Sequence, residues 1–180
     1  MTSEHSSQKD KILELETRKK IYNLVKEHAG CHFRDLERKS NLPASSIKYH
    51  LNYLAKYGLI QEEKDGNNIR YFPKEFNPEN KILLGLLRQK SLRDILLFIL
   101  TNKNCSHSNI VNFTNLSPPT ITWHLKKLEN KGIISSNING RNKTYKMITD
   151  EKEIISLLIT YKESFFDSLV DNIIETWDLN

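Results

Sequence analysis

Two stretches of the chain, SSIKYHLNYLAKYGLI (residues 45–60) and PTITWHLKKLENKGII (residues 119–134), set short polar groups, rings and cations at helical spacing. On a helical wheel Ser45, Lys48, Tyr49, Asn52 and Lys56 share one face, opposite Ile47, Leu51 and Leu54. In the second stretch that face holds Pro119, Thr122, Trp123, Lys126 and Asn130, with Lys127 and Lys131 at its edge. Hydroxyls and carboxamides at the front of such a helix can exchange hydrogen bonds with base edges in a major groove, and ammonium groups further along can meet phosphates. This is chemistry of recognition, not of bond cleavage. A merely solvated helix face would have the same composition, so the neighbouring elements must decide.

The segment after each stretch adds a second feature. NGRNK puts Arg141 and Lys143 on an Asn-Gly turn with Lys146 beyond it, so a hairpin there projects cations. Its counterpart, KDGNNIR, holds Lys64 and Arg70 beside Glu62, Glu63 and Asp65. Phosphate contact is therefore expected mostly from the second copy, with Arg70 among the first copy's contributions. Tyr49, Tyr53 and Tyr57 form a row along one helix edge, and Trp123 replaces Tyr49 in the second copy. Such rings can pack on a base or sugar, face a protein partner, or lie over neighbouring elements. His50 and His124 flank the core leucines and read as structural histidines.

Catalytic constellations are missing from the pattern. There is no Gly-rich phosphate loop, glycine numbers only six in 180 residues, and no Ser, His and Asp set has a recognisable context. Cys31-His32 and Cys105-x-His107 recur in register, but each supplies one Cys and one His without a carboxylate cluster to complete four ligands. The expectation is a non-enzyme without metal or cofactor. The two cysteines sit at equivalent repeat positions and read as reduced thiols in a cytoplasmic setting. The most apolar stretch, KILLGLLRQKSLRDILLFIL, is interrupted by Arg88, Gln89, Lys90, Arg93 and Asp94 and is read as buried in protein, not membrane. The polar opening, MTSEHSSQKDK, has no signal-peptide pattern, and residues 1–9 are expected to be disordered.

The elements that must position these faces come twice. At an offset of 74, 13 of 55 positions from 18 to 72 are identical, among them Cys31/Cys105, His50/His124, Gly58/Gly132 and Gly66/Gly140. Apolar spacing predicts a helix from about Asp10 to Glu27, a short helix in HFRDLERKS, a third from about Ala44 to Tyr57, and a two-stranded hairpin through LIQEEK and IRYF. The second copy repeats the order over 91–101, 108–113 and a helix with Ser117 as N-cap and Pro118 at its first position. An extra helix near 80–89 follows the joint PKEFNP. Three helices and a hairpin describe a winged helix. The fold class is mainly α with small β-hairpins (α+β): winged-helix domain 1 over 10–77, domain 2 over 78–149, and a C-terminal amphipathic helix over 150–180. That helix is predicted to run unbroken from an Asp150/Glu153 capping box, carrying a stripe of Leu158, Tyr161, Phe165, Leu169, Ile173 and Trp177. The stripe can pair two chains in a homodimer or fold back on its own domain, and dimerisation is the expected use. Charge separates along the chain: net +3 over 1–77, +8 over 78–149 and −6 over 150–180. The acidic segment should face away from phosphates.

LPASSIKYHLNYLAKYGLI and LSPPTITWHLKKLENKGII resemble the winged helix-turn-helix regulators of the ArsR and MarR type, and more closely archaeal proteins with two such domains in tandem. TRKKIYNLVKEHAGCHFRDLERKSNLP is similar to the opening of archaeal members. The resemblance covers residues 17–148 and implies a dimeric transcriptional regulator that binds double-stranded promoter DNA through third helix and wing. Carried over by position, it points to Ser45, Ser46, Lys48, Tyr49 and Asn52, and to Pro119, Thr120, Thr122, Trp123 and Lys126. The Cys-x-Cys motif of the metal-sensing branch is absent. The alternatives are a winged-helix protein-interaction module of the transcription machinery with weak non-specific DNA binding, and a tandem RNA-binding module.

Overall fold

The computed structural model describes residues 8–178 except 141 and 166. The expected disorder of residues 1–9 therefore falls mostly outside the described residues. The chain divides into two compact units, with the boundary after Lys81.

In the first unit the predicted helix over Asp10–Glu27 is broken. A short helix α1 (residues 8–12) ends at a turn, and α2 (Glu16–Glu27) starts after Leu15, whose backbone is extended at φ −75°, ψ 114°. The break lets Ile12 enter the core at 7% exposure, and Arg18 of α2 donates from Nη1 to the Ile12 carbonyl at 2.8 Å, satisfying a group the interruption frees. Then come β1 (Cys31–His32), α3 (Phe33–Ser40), α4 (Ala44–Lys56), β2 (Ile60–Asp65) and β3 (Asn68–Pro73).

The expected hairpin is a three-stranded sheet, in the order β1-β3-β2. Cys31 stands opposite Tyr71, and the Gly30 N–H donates to the Tyr71 carbonyl at 2.8 Å. Two residues are too few to show a strand period, so the sequence pattern could not reveal β1. Ile21, Val25, Leu36, Ile47, Leu51 and Leu54 are all at 1% exposure or less and form the core under α4.

A helix α5 (Asn80–Leu87) spans the unit boundary. The second unit continues with α6 (Lys90–Thr101), β4 (Cys105–Ser106), α7 (His107–Thr114), α8 (Pro118–Asn130), β5 (Ile134–Asn139) and β6 (Asn142–Met147), with sheet order β4-β6-β5. The positive-φ positions among the described residues fall into pairs at the repeat offset: Gly30/Asn104, Asn41/Asn115, Gly58/Gly132 and Gly66/Gly140. The repeat thus preserves backbone turns even where the residue type differs. Asn at 104 tolerates the left-handed conformation that Gly adopts at 30.

Among the described residues the C-terminal segment is three helices, not one: α9 (Glu151–Thr160), α10 (Lys162–Phe165) and α11 (Ser168–Asp178). Asp150 caps α9 by accepting from the Lys152 N–H at 2.9 Å rather than through the reciprocal Glu153 box. The expected dimer stripe is largely consumed within the unit. Leu158, Phe165 and Ile173 are buried, Tyr161, Leu169 and Trp177 are half-buried, and α11 packs against α9 and α6. The correction has a polar cause. Arg93 of α6, 5% exposed, donates from Nε and Nη2 to Asp167 Oδ2 at 3.0 and 2.5 Å, and from Nη1 to the Leu87 carbonyl at 2.8 Å. Arg88 bonds Ser164 Oγ at 2.5 Å and lies over Phe165 at 4.9 Å. Arg88 thus meets residues of α10, and Arg93 meets Asp167 at the bend between α10 and α11.

Candidate nucleic-acid interface

In each repeat, α4 or α8 is held by one apolar row and ended by one turn. The Gly58 N–H donates to the Ala55 carbonyl at 3.0 Å and Leu59 to Leu54 at 2.9 Å; Gly132 to Glu129 and Ile133 to Leu128 repeat this at 3.0 and 3.1 Å. Gly58 and Gly132 have φ of 68° and 69°, so the turn into the wing is the same. The helices start differently. Ser117 Oγ accepts from the Thr120 N–H with Pro118 at the first position, whereas Pro43 precedes α4 without a side-chain cap.

The outward face of α4 carries Ser45, Lys48, Tyr49, Asn52 and Lys56 as exposed residues, with Ser46 half-buried. That of α8 carries Pro119, Thr122, Trp123 and Lys126 exposed, with Thr120 half-buried. Not all of these groups are free to contact a ligand. The Thr120 hydroxyl pairs with Ser117 Oγ at 2.7 Å. Lys127 lies along the edge, donating to Gln89 Oε1 at 3.3 Å and sitting 5.5 Å over the Trp123 ring. Tyr49 and Trp123, each 59% exposed, stand edge-on to His50 and His124 at 5.1 and 5.0 Å. A projecting ring braced by a buried imidazole is thus common to both copies. Tyr53 is covered by the Arg18 guanidinium at 3.7 Å and has the tilted Tyr57 ring at 4.5 Å on its other side, so Tyr53 is packing, while Tyr57 remains exposed.

Arg70 is a correction. Expected on the first wing's surface, it is 4% exposed: Nε and Nη2 bind Asp65 Oδ2 at 2.8 and 2.7 Å, and Nη1 donates to the Gly30 carbonyl at 2.6 Å. It ties both wing strands to the turn before β1 and offers a ligand nothing. The acids around it are partly neutralised, Asp65 by Arg70 and Glu63 by Lys81 at 3.6 Å. The second wing has Asn139 and Thr144 at the positions of Asp65 and Arg70 and so lacks this lock. Arg141 lies outside the described residues. Lys143 is half-exposed and 3.6 Å from Glu129, which also accepts from Ser136 Oγ at 2.5 Å, while Lys146 is exposed.

Sequence reasoning did not single out His107 as a site residue. Its Nε2 lies 3.0 Å from Thr122 Oγ1, joining α7 to the outward face of α8. The signal available was a polar residue where the first copy has the core-packing Phe33. Cys31 and Cys105 are buried thiols, and among the described residues no group of three or more His, Cys, Asp or Glu gathers as metal ligands. No helix of the described residues is long and apolar enough to cross a membrane.

His50 and His124 are 6% and 8% exposed, and neither Nδ1 has a hydrogen-bond partner. Burial pulls both below the ordinary histidine range, helped by Arg18 and Lys127 respectively. The unfolded chain takes up these protons near pH 6.5, so below that pH it binds more protons than the fold. The stabilisation is full above pH 6.5 and is lost as pH falls toward the depressed folded values. We expect the urea midpoint to fall between pH 7 and 5, and a His50→Gln/His124→Gln variant to show a flatter dependence. Equal slopes for the two proteins would contradict this assignment.

Two family models match the chain: an N-terminal HTH domain over residues 15–84 and a winged helix-turn-helix DNA-binding domain over residues 88–135. An uncharacterized HTH-type transcriptional regulator of Methanocaldococcus jannaschii is 37% identical over 139 residues, 76% of this chain. The match covers 34% of that relative, so the chain spans about a third of its length. Among solved structures, an E. coli protein described as a predicted DNA-binding transcriptional regulator aligns with 24% identity over 48% of this chain and 90% of that one, at a TM-score of 0.39. MepR, a transcription regulator of the Staphylococcus aureus multidrug efflux pump MepA, aligns with 16% identity over 49% of this chain and 79% of its own, at a TM-score of 0.36. Element order, recurrent turns and both family matches lead to one conclusion: the chain carries two helix-turn-helix domains in tandem, the second of them matching the winged helix-turn-helix DNA-binding family.

Proposed function

We propose that the chain is a sequence-specific regulator of transcription that grips double-stranded promoter DNA chiefly through its second domain, as α8 enters the major groove and the β5–β6 wing meets the backbone. The observation that carries this reading is the outward face of α8 with its neighbouring wing. Thr122, Trp123, Lys126 and Lys146 are exposed there, and residues 78–149 hold a net charge of +8. The first domain contributes less electrostatic grip. Arg70 is internal, and Glu62 and Glu63 stay on the wing surface.

Genome-wide mapping of bound DNA, followed by a footprint on the strongest site, tests the proposal. A regulator binds that site on the order of 10³-fold or more above random duplex at physiological salt. Equal affinity for both sinks the reading in favour of a protein-interaction module, and preference for single strands in favour of an RNA binder. Protection length counts the copies: a homodimer covers two half-sites about one helical turn apart.

A further inference from the structure

The Thr122 hydroxyl has two partners: His107 Nε2 at 3.0 Å and the Pro118 carbonyl oxygen, also at 3.0 Å. A hydroxyl carries one hydrogen, and a carbonyl only accepts. Both contacts are satisfied together when the hydroxyl donates to Pro118 and the imidazole donates its Nε2 hydrogen to the hydroxyl. Thr122 then presents outward a methyl group and one remaining lone pair. It can accept a hydrogen bond and cannot donate one.

We propose that His107 determines sequence specificity: by donating to Thr122 it holds that side chain as an acceptor, which selects a base with an exocyclic amino group, adenine or cytosine, at the position Thr122 faces. In the major groove those two bases offer a donor, whereas guanine and thymine present acceptors at the corresponding edge. The inference rests on the duplex-DNA reading of α8 given above. A second observation supports it. In the first copy the same two positions hold Phe33 and Lys48, so the imidazole and the hydroxyl are replaced together. Phe33 packs on the apolar core there, which shows that this fold accepts a phenyl ring at that place.

Selection of bound sequences from a randomised duplex pool tests the proposal, with wild type, His107→Phe, His107→Gln and Thr122→Val compared. Wild type should enrich adenine or cytosine at one position by about five- to tenfold over guanine and thymine. His107→Phe should lose that preference while other positions keep theirs. Gln carries hydrogens on its Nε2 and should retain it. Thr122→Val should lose the same position, and adding His107→Phe should change nothing further. The inference is overturned if His107→Phe enriches the wild-type base at every position, or if it weakens all sequences equally, as a purely structural residue would. If wild type enriches no duplex sequence at all, the underlying reading has failed and the inference falls with it.

Discussion

Asp167→Ala should destabilise the second domain by about 3–5 kcal/mol, the cost of leaving a buried guanidinium without its counter-charge. The side chains of Arg93 and Asp167 are 6% and 8% exposed, and Arg93 would keep the Leu87 carbonyl and the Phe165 ring but no counter-charge as close as Asp167. Burial alone would raise the Asp167 carboxyl, but its bonds to Arg93 override this and hold it below the usual carboxylate range, with Lys90 adding to the effect. Its contribution is therefore present above about pH 4 and is lost as the pH falls through the lower folded value. Replacing both partners by apolar residues, as in Arg93→Met/Asp167→Leu, should recover most of the loss, because no buried charge is left behind. Urea unfolding of wild type, Arg93→Met, Asp167→Leu and the double variant gives the coupling energy directly. A single-mutant loss under about 1 kcal/mol would mean that α10 and α11 are not held to α6 by this pair.

Lys126→Ala and Lys146→Ala should each weaken duplex binding about fivefold at 0.15 M salt, and each should reduce the magnitude of the log–log salt slope by about 0.9. The pair should lose about 25-fold if the two ammonium groups meet separate phosphates. Lys143→Ala should cost less, because Glu129 at 3.6 Å already shares that charge. The Lys48→Ala/Lys56→Ala pair in the first domain should move the slope less than the Lys126/Lys146 pair. Titration of a labelled promoter duplex at several salt concentrations reads all of these. An unchanged slope in Lys126→Ala/Lys146→Ala would remove α8 and its wing from the phosphate contact.

Much of the fold was legible because its determinants are local. Helices α3, α4, α7 and α8, the hairpin strands and the Gly58 and Gly132 turns follow from apolar period, caps and turn residues within a few positions of one another. The outward faces of α4 and α8 were legible for the same reason: a period of 3.6 assigns every residue a side. The bend after Leu13 and the division of the C-terminal segment were not. Both are places where a continuing apolar rhythm is cut: at the first, Arg18 satisfies the Ile12 carbonyl that the break frees, and at the second Asp167 meets Arg93 from far along the chain.

By itself, the sequence determined the repeat, the order of elements and which face of each recognition helix leaves the core, since each depends on neighbours along the chain. Only the tertiary structure decided what covers a face and which polar groups remain available. Arg70 is spent on the Gly30 carbonyl forty residues away, the stripe through Leu158 and Ile173 is covered within its own domain, and Thr122 takes its hydrogen-bonding character from His107. A periodic pattern records that a surface must be buried or that a charge must be satisfied. It does not record the partner, because the partner comes from long-range packing that no local window contains.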